Sequence, residues 1–385
     1  MMYGDMIPKQ QVLITGGAGF IGSRLALGLV ARGHSVRVLD TLSPQIHGDV
    51  PERSPLLESI RGRVDFIHGS VCDPKVVRRA LTDVSCVVHL AAETGTGQSM
   101  YAIRHYSDVN VGGTAVLLDI VANEQFPVKR LVVASSRAVY GEGAYRCAEH
   151  GQVFPSGRSA TDMARGIFDT HCPRCGAVVS LLPTAEDAQL SPLSVYGVTK
   201  LTQEQLTLAV GRALGISAIA LRYQNVYGPG QSLSNPYTGI LSIFSTRIRN
   251  GRSINVFEDG TESRDFVYID DVVDATVRSI EHPETLIASL NVGSGVPTSV
   301  MTIAETLQLQ LGTNVSVAVS GQFRVGDIRH NVAELTAVSR TLGFAPTVAF
   351  ADGVARFVEW VLSEAVQADR YDESLAELRD KGLFK

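Results

Sequence analysis

Tyr196-Gly197-Val198-Thr199-Lys200 sets a phenol and an ammonium one helical turn apart, on one face of a helix. A tyrosine ordinarily ionises near pH ~10, so holding a tyrosinate at neutral pH takes roughly 4 kcal/mol of favourable interaction. A neighbouring cation in a poorly solvated site can supply that. Such a tyrosine takes the proton of a substrate hydroxyl while hydride leaves the same carbon for an acceptor. Ser136, at the end of the run Leu131-Val132-Val133-Ala134, offers a second hydroxyl for the same oxygen. Tyr-x-x-x-Lys alone also describes a plain pair on a helix surface, so its context decides.

That context is Thr15-Gly16-Gly17-Ala18-Gly19-Phe20-Ile21-Gly22, between an apolar run and a helix-length stretch. One glycine makes the tight turn, another lets a pyrophosphate approach the backbone, and a third lets the helix pack closely. The phosphates then sit at the helix N-terminus, where free N–H groups and the dipole favour anions. Asp40 ends the second apolar run 18 residues after Gly22. A carboxylate there accepts both adenosine-ribose hydroxyls and repels a 2′-phosphate, so the expected cofactor is NAD rather than NADP. NAD also brings the cationic nicotinamide that helps to hold a tyrosinate.

These residues need a scaffold. Val12-Leu13-Ile14, Val36 to Leu39, Val64 to Ile67, Cys86 to Leu90 and Arg130 to Ala134 are short, near-continuous apolar runs separated by helical stretches. That alternation predicts an α/β fold, a Rossmann-type doubly wound parallel sheet with helices on both faces. Turn signals from about 228 onward predict a smaller C-terminal α/β substrate domain. The expected division is 1–145 and 190–227 for cofactor binding, 146–189 as an insertion, and 228–385 mainly for substrate, with some strands returning to the first core. The last twenty residues read as an exposed amphipathic helix.

The chain has 385 residues, 45% of them apolar and 19% charged, which is ordinary globular composition. A net charge of −5 with no basic block argues against a nucleic-acid partner. No secretion signal and no apolar run of ~18 residues is present, so neither a membrane partner nor export is expected, and the default location is the cytoplasm. Five cysteines do not make a disulfide framework. Four potential ligands nonetheless pair up: Cys147-x-x-His150 and Cys172-x-x-Cys175, 21 residues apart. Three thiolates and an imidazole suit a closed, tetrahedral structural zinc that staples a loop-rich insertion. Unrelated thiols or a redox Cys-Pro-Arg-Cys are the alternatives. Cys72 and Cys86 read as small buried core residues, His89 and His330 as structural histidines, and Tyr140 and Tyr227 as packing residues.

TGGAGFIG, HLAAETGTGQSM, DVNVGGT, SSRAVYG, YGVTK, LRYQNVYGPG and RDFVYIDDV together resemble the extended short-chain dehydrogenase/reductases, the NAD-dependent nucleotide-sugar epimerases and dehydratases. The resemblance spans residues 11 to about 360. It implies Ser136, Tyr196 and Lys200 as the catalytic triad. It implies a cofactor site of Gly16, Gly19, Phe20, Ile21, Gly22, Asp40, Ser70, Val71, Leu90, Ala91, Ala92, Asn110 and Tyr223, together with Tyr196 and Lys200. Thr94, Ser136 and Asn225 fall at the substrate, Arg264 and Arg324 on the arginines that hold its diphosphate, and Asp327 on the residue that takes the nucleotide ribose. Gly69-Ser70-Val71 departs from the usual Gly-Asp-Val, which costs the adenine amine a carboxylate, and Gln224 replaces an aromatic.

The two positions after Ser136 separate the reactions of this family. Dehydratases carry an acidic pair there and decarboxylases a glutamate, whereas this chain has Arg137 and Ala138. A C4 epimerase acting through a transient 4-keto sugar is therefore expected, as an isomerase that retains its NAD. GEGAYRCAEHG, CPRCG and GDIRH resemble the subgroup that interconverts dTDP-L-rhamnose and dTDP-6-deoxy-L-talose. A nucleotide-sugar 4-ketoreductase, a UDP-sugar 4-epimerase and, remotely, a non-catalytic NAD-binding scaffold remain as alternatives. The resemblance also implies a homodimer through the helices after Asn110 and Tyr196, with Val116, Leu117, Ile120, Leu201, Leu206 and Val210 as compatible apolar positions.

Overall fold

Alternate residues of the first strand, β1 (Gln11–Thr15), face opposite ways. Val12 and Ile14 enter one core with Leu25, Leu29, Val36 and Val38, while Leu13 enters another with Leu39, Val87, Leu117 and Leu131. Burial on both faces is why the strand reads as an unbroken apolar run. The structure, a computed structural model, describes residues 9–237 and 239–385. Its central sheet holds β1, β2 (Ser35–Asp40), β3 (Asp65–His68), β4 (Cys86–His89), β5 (Arg130–Ser136), Ser217–Tyr223 and Ile287–Val292. They lie in the order β3-β2-β1-β4-β5, then Ser217–Tyr223, then Ile287–Val292, and every pair is parallel. The winding reverses between β1 and β4, which opens a crevice beyond their carboxyl ends, the usual place for ligands in such sheets.

A third core gathers Tyr227, Phe244, Ile254, Phe266, Tyr268, Ile303 and Phe357. It lies around the small sheet of Asn225–Tyr227, Ser263–Tyr268 and Pro297–Ser299. Helix Ile269–Glu281 and strand Ile287–Val292 come later in the chain yet pack with the first core. Between β5 and the helix Val195–Leu214 the insertion forms a three-stranded antiparallel sheet, Gly151–Val153 beside Tyr145–Cys147 beside Ser180–Leu181. It is anchored by Arg158, whose Nη1 and Nη2 donate to Glu258 at 2.6 and 2.7 Å.

Two expectations need correction. Cys72 is exposed rather than buried, because it lies in the turn after β3 rather than in a strand; Cys86, inside β4, is buried. The helix Tyr371–Asp380 is amphipathic but docked: Tyr371, Leu375 and Leu378 are buried against Tyr101, Ile243 and Phe257.

Candidate active site

The glycine turn bends after β1 with Gly16 in the left-handed region, φ +69°. At Gly22 a Cβ would lie 2.4 Å from the Gly16 carbonyl oxygen, so helix α1 (Phe20–Ala31) can approach the turn only with glycine there. Gly19 stands at the N-cap of α1 with no side-chain cap, which leaves the first N–H groups facing the crevice mouth. Asp40 is held at the end of β2 by the N–H groups of Ala18 (2.9 Å, to Oδ2) and Leu42 (2.8 Å, to Oδ1).

Three adjoining hollows follow. One, of about 390 Å³, is lined by Gly16, Asp40, Ser70, Val71, Leu90, Ala91, Ala92 and Thr94. The central one, also about 390 Å³, is lined by Gly16, Phe20, Ile21, Gly22, Thr94, Ser136, Tyr196, Lys200, Tyr223 and Asn225. The third, about 200 Å³, takes Asn225, Arg264, Arg324 and Asp327. Nearly every residue singled out from the sequence thus lies along one continuous trough. The dimensions and donors fit an elongated dinucleotide at one end and a second phosphate-bearing ligand at the other.

Gly19, at the N-cap of α1, and Asn110 are the exceptions; Asn110 is the more deeply placed. It is fully buried and lines none of these hollows. Its Oδ1 accepts from the Glu93 N–H at 2.7 Å, and its Nδ2 donates to the Glu93 carbonyl and to Thr199 Oγ1 at 3.1 and 3.0 Å. It ties the loop after β4 to the Val195–Leu214 helix and so helps to position the site. His89 is likewise spent internally, between Thr15 Oγ1 at 2.7 Å and Thr114 Oγ1 at 2.9 Å.

Tyr196 and Lys200 lie on the first turns of the helix Val195–Leu214. Ser194 caps that helix by accepting from the Gly197 N–H at 3.1 Å. A Cβ on Gly197 would lie 2.7 Å from the Ala138 carbonyl, and this close approach brings Tyr196 against Ser136. Burial pushes the Tyr196 phenol upward, while its hydrogen bond with Ser136 and the Arg137 guanidinium pull it back down. The Tyr-x-x-x-Lys spacing predicts Lys200 as the cation acting on Tyr196. Arg137 is a second cation acting on Tyr196, and Lys200, which lines the same hollow, donates from Nζ to the Ala134 carbonyl at 3.0 Å. Burial lowers Lys200 to about 7, since little around it compensates its charge.

The diphosphate assignment also shifts. Both Nη atoms of Arg264 are occupied: Nη1 by the Ser263 and Arg329 carbonyls, Nη2 by Asp327 Oδ1 at 2.8 Å and the Ile328 carbonyl. Burial alone would raise Asp327, but Arg264, Arg324, Arg137 and Arg158 outweigh it and hold the carboxyl at about 2. Arg264 and Asp327, both expected on the substrate, are therefore paired with each other. Among the described residues Arg324 has no carboxylate partner; its guanidinium lies 5.0 Å from the Phe257 ring centroid, with Nε buried and unbonded. Arg137 lines both the central and the third hollow, and among the described residues it too forms no ion pair. Legible in the sequence only as a residue unable to act as acid or base, it emerges as the cation between Tyr196 and the diphosphate arginines. Phe257, Tyr237, Tyr371, Ser374 and Leu378 also line the third hollow. No spacing pattern marks them, because they converge from distant parts of the chain.

In the insertion, Cys147, His150, Cys172 and Cys175 offer ligand atoms that all lie within 4.8 Å of one another. The Sγ of Cys147 is 3.7 Å from His150 Nδ1 and 3.7 Å from Cys175 Sγ, and Cys172 Sγ is 3.7 Å from His150 Nδ1. None of the cysteines is disulfide-bonded.

The sequence profile of the NAD dependent epimerase/dehydratase family matches residues 12–156 and 174–293, leaving much of the insertion outside the match. A dTDP-L-rhamnose 4-epimerase of Burkholderia thailandensis is 36% identical over 94% of this chain and 97% of its own. A UDP-glucose 4-epimerase of Mycolicibacterium smegmatis is 30% identical over 91% and 98%. Among solved structures, the UDP-glucose 4-epimerase of Thermotoga maritima with UDP-glucose superposes with a TM-score of 0.73 at 27% identity, covering 92% of this chain and 99% of the other. The UDP-glucuronic acid 4-epimerase of Bacillus cereus, in complex with UDP-glucuronic acid and NAD, does so with 0.73 at 25% identity, covering 92% and 99%. With a profile match over more than half its length and a relative of this identity spanning nearly all of it, the chain belongs to the NAD-dependent epimerase/dehydratase family.

Proposed function

We propose that this protein is an NAD-dependent nucleotide-sugar C4 epimerase. The observation that carries the reading is the central hollow, where Ser136 and Tyr196 face the site while no Asp or Glu lines it among the described residues. Elimination of water or loss of carboxylate needs further acids and bases at the sugar; oxidation and reduction at one carbon does not. Bound NAD, held at the glycine turn and Asp40, supplies the acceptor that takes hydride from C4 and returns it. Tyr196 takes the proton of the C4 hydroxyl as the C–H bond breaks, and Ser136 donates a hydrogen bond to the same oxygen. The 4-keto sugar turns in the hollow, and Tyr196 gives its proton back as the other face is reduced. Arg137 and Arg324, cations without a carboxylate partner, suit the diphosphate's two negative charges.

The favoured substrate is dTDP-L-rhamnose, converted to dTDP-6-deoxy-L-talose, which rests on the Burkholderia thailandensis relative. Proton NMR of purified protein with dTDP-L-rhamnose and no added cofactor tests it. An equilibrium mixture containing the talose epimer is expected. No change there, but conversion of UDP-glucose or UDP-glucuronate, transfers the assignment to a UDP-sugar epimerase; turnover only with added NADH makes it a ketoreductase.

The Cys/His cluster of the insertion suits one structural zinc, remote from the hydride chemistry. Unpaired thiols and zinc thiolates fit a reducing compartment, here the cytoplasm. A homodimer through the helices Gly113–Asn123 and Val195–Leu214 is the expected assembly. Leu117 and Ile120 are buried in the core beside the sheet, Val116, Leu206 and Val210 pack on its edge and Leu201 is half-buried, so these positions suit either packing and light scattering decides it.

A further inference from the structure

Residues 371–385, beyond the helices that complete the fold, reach back to the third hollow. Tyr371, Ser374 and Leu378 line it beside Arg137, Arg324 and Asp327. Their segment is joined to the loop that carries Arg324 by backbone hydrogen bonds on both sides of that residue. Phe323 and Lys385 exchange N–H···O bonds of 2.8 and 3.0 Å, and the Val325 N–H donates to the Leu383 carbonyl at 2.9 Å. The Phe257 ring lies between two groups, the Arg324 guanidinium at 5.0 Å and the Phe384 ring at 4.9 Å. The segment is fastened from outside as well. Arg247 pairs with Asp369 and Asp372 at 3.2 and 2.8 Å, and Glu377 accepts from the Tyr237 hydroxyl, itself bonded to Tyr101 at 3.0 Å.

We infer that residues 371–385 are a working wall of the substrate site: a clasp that sets Arg324 and Phe257 in place and encloses the nucleotide diphosphate of the substrate. An exposed helix with no such task would not bury Tyr371, Leu375, Leu378 and Phe384, each at most 4% exposed, around the one arginine of that loop whose guanidinium is left without a carboxylate partner. The ordering of that guanidinium matters because a bidentate donor aligned before binding loses less freedom when the phosphate arrives. The clasp is separate from the cofactor end: none of residues 371–385 lines the Asp40 hollow. The inference rests on the third hollow being the nucleotide-sugar site.

The test uses the full chain with Phe384→Ala or Leu378→Ala, and beside them a chain ending at Ala368. Calorimetric titration with dTDP and UDP, NAD content and thermal melting are read for each. The expected result is binding of the nucleoside diphosphate weakened roughly ten-fold or more, and KM raised accordingly, with kcat and bound NAD little changed. Point variants that melt near the parent yet bind dTDP or UDP as tightly as it does overturn the inference. If the shortened chain does not fold, the point variants still decide. A parent chain that binds neither nucleotide defeats the underlying assignment of the hollow instead.

Discussion

If the insertion holds the proposed zinc, changing Cys172 to serine should weaken that site and loosen the insertion, and the ligand geometry says why. Four ligands around zinc, with Zn–S about 2.3 Å and Zn–N about 2.0–2.1 Å, define a tetrahedron whose S···S edges are about 3.8 Å and whose S···N edges are about 3.6 Å. The three separations of 3.7 Å match those edges, while a disulfide would need about 2.05 Å. Two of the five buried residues in the insertion's small core, Cys147 and Cys172, are ligands themselves, so the remaining Tyr145, Val153 and Val179 bury little. Structural zinc sites contribute about 10–16 kcal/mol; an even quarter for one ligand is ~2.5–4 kcal/mol, or roughly 10²–10³-fold in affinity. Elemental analysis of protein purified without chelator should give one zinc per chain, and Cys172→Ser well under one, with a lower melting temperature. Parent protein with well under one zinc, or a serine variant that keeps both metal and melting temperature, would refute the reasoning.

Three other outcomes follow from the same geometry. Burial lowers Lys200 to about 7, below its unfolded value near ~10.4, so its charge opposes folding fully below pH 7 and the opposition fades as pH rises toward ~10. Lys200→Met should therefore melt above the parent at pH 6 in NAD-free protein, the gap closing by pH 10 in scanning calorimetry, while turnover falls by roughly 10²-fold or more. Arg137 pulls the Tyr196 phenol down, so Arg137→Met should move the acid limb of the kcat profile to higher pH and raise KM; an unmoved limb would leave Arg137 with substrate binding alone. Gly22→Ala would put a Cβ 2.4 and 2.5 Å from backbone atoms of Gly16 and Gly17, costing about 1–3 kcal/mol and the copurified NAD, read by ultraviolet absorbance after denaturation.

What can be read in the sequence is what one element encodes by itself. Gly16 to Gly22 is a single turn, Asp40 a strand end, and Tyr196 with Lys200 a single helical turn; their meaning needs no distant partner. The Cys/His pairs are legible for the same reason, each being a knuckle within four residues. Arg264 and Asp327 are 63 residues apart, and nothing in either local pattern says that their charges meet rather than both facing a ligand. Tyr371, Leu375 and Leu378 recur at spacings of four and three, which suits a docked helix as well as one at a surface. Tyr101, Ile243 and Phe257 decide between the two, and only the fold brings them there. Lys200 departs more subtly. Its spacing from Tyr196 is the one the motif requires and brings both into the central hollow, but no spacing tells that its Nζ also donates to the Ala134 carbonyl.

The pairing of Arg264 with Asp327 bears on how such a site can epimerise at all. An enzyme that must present both faces of one sugar carbon to a single acceptor needs one end of the substrate held hard and the other held little. If Arg264 were also free, three guanidiniums would face a diphosphate carrying two negative charges in the third hollow. Asp327, kept ionised by the arginines around it, removes that surplus. In the proposed reading Arg137 and Arg324 would then match the two charges of a diphosphate, since both line the third hollow. The central hollow, by contrast, is lined by no Asp or Glu among the described residues, and Gly95, Gly239 and Ala92 leave room there for a sugar to turn. Strong anchoring at the charged end and weak anchoring at the sugar are thus set by the same ion pair, and Asp327→Asn should upset both. By freeing Arg264 it should tighten dTDP binding in calorimetry while slowing turnover; weaker dTDP binding would mean instead that Asp327 itself meets the nucleotide.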